Sequence, residues 1–414
     1  MINNPQLITE ISNRLHQVST QMSILKSIAW PLSVQDVFFK NNAEKFPIVS
    51  YPPFDATPIL NEIKAVQKLI KQDDFAGEWL FRISDKLEKT ALLLSHRGQP
   101  AFFEFSEYLY GKPKDELLND TLTTLDLANH FGNIFKSISH IDLGEPPEAC
   151  VLAKTLAEEM EKAVKQMFGD LAPKIVLDAN LASNALASRK QITIRPTACF
   201  TDNDIEQLIQ HEAYIHVATS INGELQPHLK ILSAGHAGTT KTQEGLAIFA
   251  EYITATTDLD RLRRLSDRVI AIQMAVDGAN FIDVYRYFLE ITDRPEQSFL
   301  NAKRVFRGGV IEGGAPFTKD MVYLEGLINV SQFLKVVMSE GKLEYLDLLF
   351  SGKLDLFDLP ALQQLSERGL LAKPRFLPPW LQDRRFLLSN LSFLSFINEI
   401  DLKESKDFYE RILK

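Results

Sequence analysis

The segment His211-Glu212-Ala-Tyr-Ile-His216 brings two imidazoles and a carboxylate together within one short stretch of chain. Zinc hydrolases commonly use HExxH, where histidines at i and i+4 face one metal and the intervening glutamate works on the metal's water. Here the spacing is i and i+5, HExxxH. At about 100° per residue an ideal helix would set these imidazoles roughly 140° apart, whereas a π-type turn of about 4.4 residues brings them to within roughly 50°. The spacing therefore predicts a widened turn between His211 and His216.

A metal site of this kind needs a third protein ligand, and Glu224, His228, His236, Glu244 and Glu251 follow downstream. Glu244 is favoured, because Thr240 with Gln243 suggests the start of a second helix and Gly245 would let that helix approach the first closely. Glu251 lies seven residues on and falls on the same helix face within about 20°, suited to accept the outer N–H of a ligating histidine. His228 and His236 sit in a Gly-rich connection and read as solvent-facing or substrate-side groups.

These side chains need rigid elements to hold them. Thr201 with Asp204 reads as a capping box that starts the helix carrying His211, Glu212 and His216. Before it, Lys174–Leu177 and Gln191–Arg195 are short β-branched runs, the second alternating apolar and polar, and they predict a small sheet. Residues 191–195 are expected to form an edge strand able to pair with a substrate backbone. Apolar positions at helical spacing from Leu7 to Leu25 predict an N-terminal helix over 3–30, and the prolines between Phe46 and Pro58 predict an extended crossing segment. Three regions follow: a helical N-terminal region 1–170, a catalytic region 171–340 and a helical C-terminal cover 341–414. The expected fold is α+β and predominantly α, a zincin-like catalytic unit with a small β-sheet and flanking helical regions.

Composition narrows the partners. With 54 Asp and Glu against 45 Lys and Arg, the net charge of −9 gives no global attraction to nucleic acid. No run of about 18 apolar residues is evident, so no membrane partner is expected. The N-terminus lacks a basic n-region and an apolar h-region, and two cysteines, Cys150 and Cys199, cannot staple 414 residues. The expectation is a cytoplasmic protein whose cysteines are buried small apolar residues.

Taken together the motifs become recognisable. HExxxH followed by Gln243-Glu244-Gly-Leu-Ala resembles the flavohaemoglobin expression-modulating QEGLA-motif proteins, whose eukaryotic relatives include the microtubule-associated tyrosine carboxypeptidases. Ser106-x-x-Leu109-Tyr110-Gly-Lys-Pro113, Thr219-Ser-Ile-Asn222-Gly-Glu-Leu-Gln226-Pro, Arg304-Val-Phe-Arg307-Gly-Gly and Gly313-Gly-Ala-Pro-Phe-Thr-Lys319-Asp-x-x-Tyr323-Leu agree in order. The resemblance covers roughly residues 45 to 340. It implies a zinc metallopeptidase with one Zn²⁺ held by His211, His216 and Glu244, and Glu212 as general base. It also implies Tyr323 as a donor to the oxyanion, since its position belongs to the family motif. An enzyme that removes a C-terminal residue must recognise a free carboxylate, for which Arg304, Arg307 and Lys319 are the candidates. The expected function is carboxypeptidase removal of a residue from a peptide or protein tail. Its alternatives are a non-catalytic zinc-containing regulatory protein or a metal-dependent amidohydrolase on a non-protein amide.

Overall fold

A computed structural model describes residues 4–118, 120–138, 140–141, 151–179, 181 and 184–398. It is predominantly helical with two small sheets, as expected. The N-terminal helix spans Pro5–Thr20 and stops short of the predicted 30, because the chain turns at Gln21–Ser23 before a short helix Ile24–Ser27. Residues 46–56 carry no regular secondary structure, as their proline density requires.

Strand β1 (Val151–Leu152) pairs antiparallel with β5 (Cys199–Phe200). The second sheet holds β2 (Lys174–Leu177), β3 (Ala185–Ala187) and β4 (Gln191–Ile194) in the order β2-β4-β3. The predicted runs are β2 and β4, but β4 is the central strand and not an edge: β2 pairs with it in parallel and β3 antiparallel. Its backbone bonds are therefore committed to protein on both sides, and β3 occupies the edge that faces the histidine helix.

Among the described residues, three buried apolar clusters cross the boundaries expected from sequence. One joins Ile8 and Trp79 to Leu246, Leu349 and Leu387, and a second joins Phe38 and Phe102 to Phe281 and Phe306. The third packs the helix Ala153–Phe168 and β4 against the back of the histidine helix through Leu156, Met160, Ile192, Ile194, Ala213 and Val217. The helical regions and the catalytic region thus share their cores, and this burial is what fixes the site's supports.

The helix Thr240–Ile253 crosses Val322–Ser339 at a paired-glycine contact. A Cβ on Gly245 would stand 2.3 Å from the Gly326 carbonyl oxygen, and one on Gly326 would stand 2.2 Å from the Lys241 carbonyl oxygen. Gly245 therefore allows close approach to Val322–Ser339, not to the histidine helix as the sequence suggested. Lys319–Ser339 is long and apolar enough, with mean hydropathy 1.2, to cross a bilayer by length and composition alone. Here its apolar side chains Leu324, Val330 and Leu334 are core residues. Cys199 is exposed in β5, contrary to expectation, and Cys150 lies outside the described residues.

Candidate metal centre

The helix beginning at Asp202 is capped as its sequence requires: the Asp204 N–H donates to Thr201 Oγ1 at 3.1 Å and the Thr201 N–H to Asp204 Oδ2 at 2.8 Å. Seven residues later it widens into a π-helix, Ile209–Val217, which carries His211, Glu212 and His216 before α-geometry resumes at Ala218. The widened turn faces the two imidazoles toward each other, with ring centroids 4.9 Å apart. Glu244 enters from the second turn of Thr240–Ile253, and its Oε2 lies 3.6 Å from Nε2 of each histidine. One donor atom from each of the three side chains lies within 4.8 Å of the others.

Glu251 sits behind this triad. Its Oε1 accepts from His211 Nδ1 at 2.7 Å, which leaves His211 Nε2 directed at Glu244. Arg261, from the helix Leu259–Val276, grips Glu251 with two hydrogen bonds of 2.9 Å, from Nε to Oε2 and from Nη2 to Oε1. Burial alone would raise the Glu251 carboxyl, but Arg261 and His211 hold it down at about 2. Burial alone would lower His211, and the nearby carboxylates of Glu244 and Glu251 outweigh it and carry the ring up to about 10. The pocket thus favours positive charge between the imidazoles and Glu244.

The other metal-ligand candidates lie elsewhere. Glu224 pairs with Arg189, and His228 Nδ1 meets Thr9 Oγ1 at 3.2 Å. His236 is half-buried, accepts from the Gly238 N–H at 3.2 Å, and is pushed down to about 4 by desolvation and by Lys86. Glu212 is buried beside the triad and points to the sheet, where its Oε2 accepts the Ala187 N–H of edge strand β3 at 3.0 Å. Two histidines and a glutamate around one point, with a second carboxylate beside them, is the donor set of a hydrolytic metal centre.

The family model of the microtubule-associated tyrosine carboxypeptidases matches residues 36–399. The chain belongs to this family. No curated protein matches the chain. Membership sets its chemistry at the family level as peptide hydrolysis of the carboxypeptidase type.

For a carboxypeptidase-family chain the basic residues beside the triad matter most. Lys319 Nζ donates to Glu244 Oε1 at 3.1 Å. Arg304 binds Asp320 through two nitrogens. Arg307 Nη2 and Arg268 Nε stand 4.0 Å and 3.9 Å from the same carboxylate. One buried aspartate therefore faces three guanidinium groups. Burial would raise the Asp320 carboxyl, yet the three arginines and Lys319 drive it far below the usual range. Burial and the nearby Arg304 charge lower Arg307 to about 10 and Arg268 to about 9. Arg307 Nε is buried with no acceptor. Tyr323 joins this cluster, its ring 4.9 Å beneath the Lys319 ammonium and 5.8 Å from the Arg268 guanidinium.

The structure thus brings His211, His216, Glu244 and Glu212 together, and sets Tyr323, Arg304, Arg307 and Lys319 on the Glu244 side. Sequence reasoning missed Arg261 and Arg268. Their signal was available, since residues seven apart on one helix share a face.

Proposed function

We propose that the chain is a zinc carboxypeptidase of the HExxxH type, carrying the QEGLA motif, that removes one residue from the free C-terminus of a peptide or protein tail. The observation that carries this reading is the convergence of His211, His216 and Glu244 beside Glu212 in a chain of a carboxypeptidase family. The donor set fits zinc. Donors on a tetrahedral zinc with bonds of about 2.05 Å stand about 3.3 Å apart, close to the 3.6 Å between Glu244 Oε2 and each histidine Nε2. Glu244 Oε2 is buried with no hydrogen-bond donor of its own, as an atom reserved for a cation would be. His211, His216 and Glu244 would hold one zinc ion per chain, and such an ion would supply polarisation of the scissile carbonyl and a water made acidic near neutral pH.

The remaining work falls to side chains. Glu212, anchored by the Ala187 N–H through Oε2, takes the proton of the attacking water and passes it to the leaving amine. Tyr323, its ring beneath the Lys319 ammonium, turns its hydroxyl proton toward the oxygen on which negative charge develops. Of the three basic candidates, Lys319 orients Glu244 and Arg304 orients Asp320, while Arg307 keeps a buried Nε–H for the substrate's terminal carboxylate.

Mass spectrometry of a free-acid peptide library incubated with the zinc-loaded protein tests the reading. Single-residue losses from the C-terminus are expected, stopped by a chelator and restored by zinc. Cleavage that survives complete chelation would remove zinc from the reaction.

The support behind His211 has its own expected effect. Glu251→Gln keeps the side chain's size but removes the charge that orients the imidazole and draws a cation, so zinc affinity should fall about 10- to 100-fold. Competition with a chromophoric chelator measures it, and an unchanged affinity would detach Glu251 from the centre.

A further inference from the structure

The two oxygens of Glu244 meet different partners. Nε2 of both histidines approaches Oε2, at 3.6 Å each, and that oxygen is buried with no hydrogen-bond donor. Oε1 instead accepts from Lys319 Nζ at 3.1 Å. The lysine side chain is 10% exposed and the glutamate side chain 13%, so little water competes for the contact.

Both ends of this contact are fixed by the fold. Thr318, the residue before the lysine, is clamped to the helix Ala101–Tyr110: its N–H donates to Ser106 Oγ at 2.9 Å and its hydroxyl to the Ser106 carbonyl at 3.2 Å. Asp320, the residue after it, is held by Arg304. The helix that follows, Val322–Ser339, is locked beside Thr240–Ile253 by the Gly245–Gly326 contact and by the ion pair of Lys241 with Glu325. The Tyr323 ring, 4.9 Å from the ammonium, closes a further side.

Attraction of a metal ion does not account for this arrangement. A positive charge one hydrogen bond from a ligand carboxylate repels an incoming cation. What the ammonium supplies is a choice between the two oxygens. A carboxylate can bind a metal through one oxygen or through both, whereas a hydrolytic centre with three protein ligands must keep a further position open for water. An Oε1 committed to a charge-assisted hydrogen bond does not fill that position.

We propose that Lys319 is a positioning residue that restricts Glu244 to metal binding through Oε2 alone, and so keeps a coordination position free for the reacting water. The assignment rests on the zinc reading above. It also gives Ser106 and Thr318 a task, which is to hold the backbone from which the lysine reaches Glu244.

Crystal structures of the zinc-loaded full chain read the two zinc–oxygen distances of Glu244 directly, for the parent and for Lys319→Met, Lys319→Gln and Lys319→Arg. Zinc affinity by chelator competition, peptide turnover and melting temperature accompany each. The parent should show Oε2 at bonding distance and Oε1 beyond it. In Lys319→Met both oxygens should bind, with zinc affinity equal to the parent's or higher, kcat about 10- to 100-fold lower and KM little changed. Lys319→Gln should fall between the two, and Lys319→Arg should restore binding through one oxygen. Should Lys319→Met fail to fold, Lys319→Gln carries the same comparison. Two bound oxygens in the parent overturn the assignment, as does an Oε1 that stays off the metal in the neutral variants. Zinc affinity that falls in step with turnover in those variants also overturns it and makes Lys319 a support of the pocket. A parent that holds zinc through Oε2 alone yet cleaves no peptide defeats the peptidase reading and leaves the coordination standing; a parent that binds no zinc defeats both.

Discussion

Glu212→Gln is expected to bind as much zinc as the parent and to hydrolyse peptide at least about 10²-fold more slowly, within the range for loss of a general base. The two effects separate because Glu212 lies beside the metal donors and is not one of the three. Its Oε2 accepts the Ala187 N–H at 3.0 Å, a bond that a glutamine keeps through its amide oxygen, so edge strand and helix stay in register. What disappears is the basic carboxylate that receives the water's proton. Elemental analysis and single-turnover rates measure the two halves. Parent-like turnover with full zinc would take Glu212 out of the reaction and leave His211, His216 and Glu244 as a structural metal site.

The centre's local geometry was legible because it follows from short-range periodicity. A five-residue offset between the histidines forces a turn wider than 3.6, and the chain supplies it from Ile209 to Val217. Thr201 and Asp204 are three apart, so their reciprocal bonds needed no tertiary knowledge. Glu251 could be placed behind His211 from its seven-residue offset to Glu244, because two helical turns return to one face.

The misreadings concern what a sequence pattern leaves open, namely the partner across space. Gln191–Ile194 has the alternation of a half-exposed strand, yet Ala185-Leu186-Ala187, small and without β-branching, joins its open side and takes the edge. Gly245 announces that something comes close, and only the fold says that it is Gly326. Arg304 and Lys319 were marked as candidates for the substrate's carboxylate, but Asp320 and Glu244, which engage them, change what they can do.

That distribution of charge bears on where the enzyme cuts. Asp320 neutralises one guanidinium, so three arginines leave a surplus that burial makes costly unless an anion enters. Arg307, with its buried unpaired Nε–H, is the member with donor capacity left over. A substrate ending in a free carboxylate satisfies it, whereas an amidated end brings no charge and leaves the guanidinium uncompensated. A bidentate contact makes two charge-assisted hydrogen bonds, each about 1.5–3 kcal/mol, so the free-acid peptide should be favoured by at least about 3 kcal/mol, or more than about 10²-fold in kcat/KM. Arg307→Gln should erase most of that preference by slowing the free-acid peptide while leaving the amidated one near its low parent rate. Paired rate measurements on the two peptides, with zinc content held equal, decide the matter. Parent-like discrimination in Arg307→Gln would move the contact to Arg268 or Lys319, and equal cleavage of both peptides at an internal bond would turn the same metal centre into that of an endopeptidase.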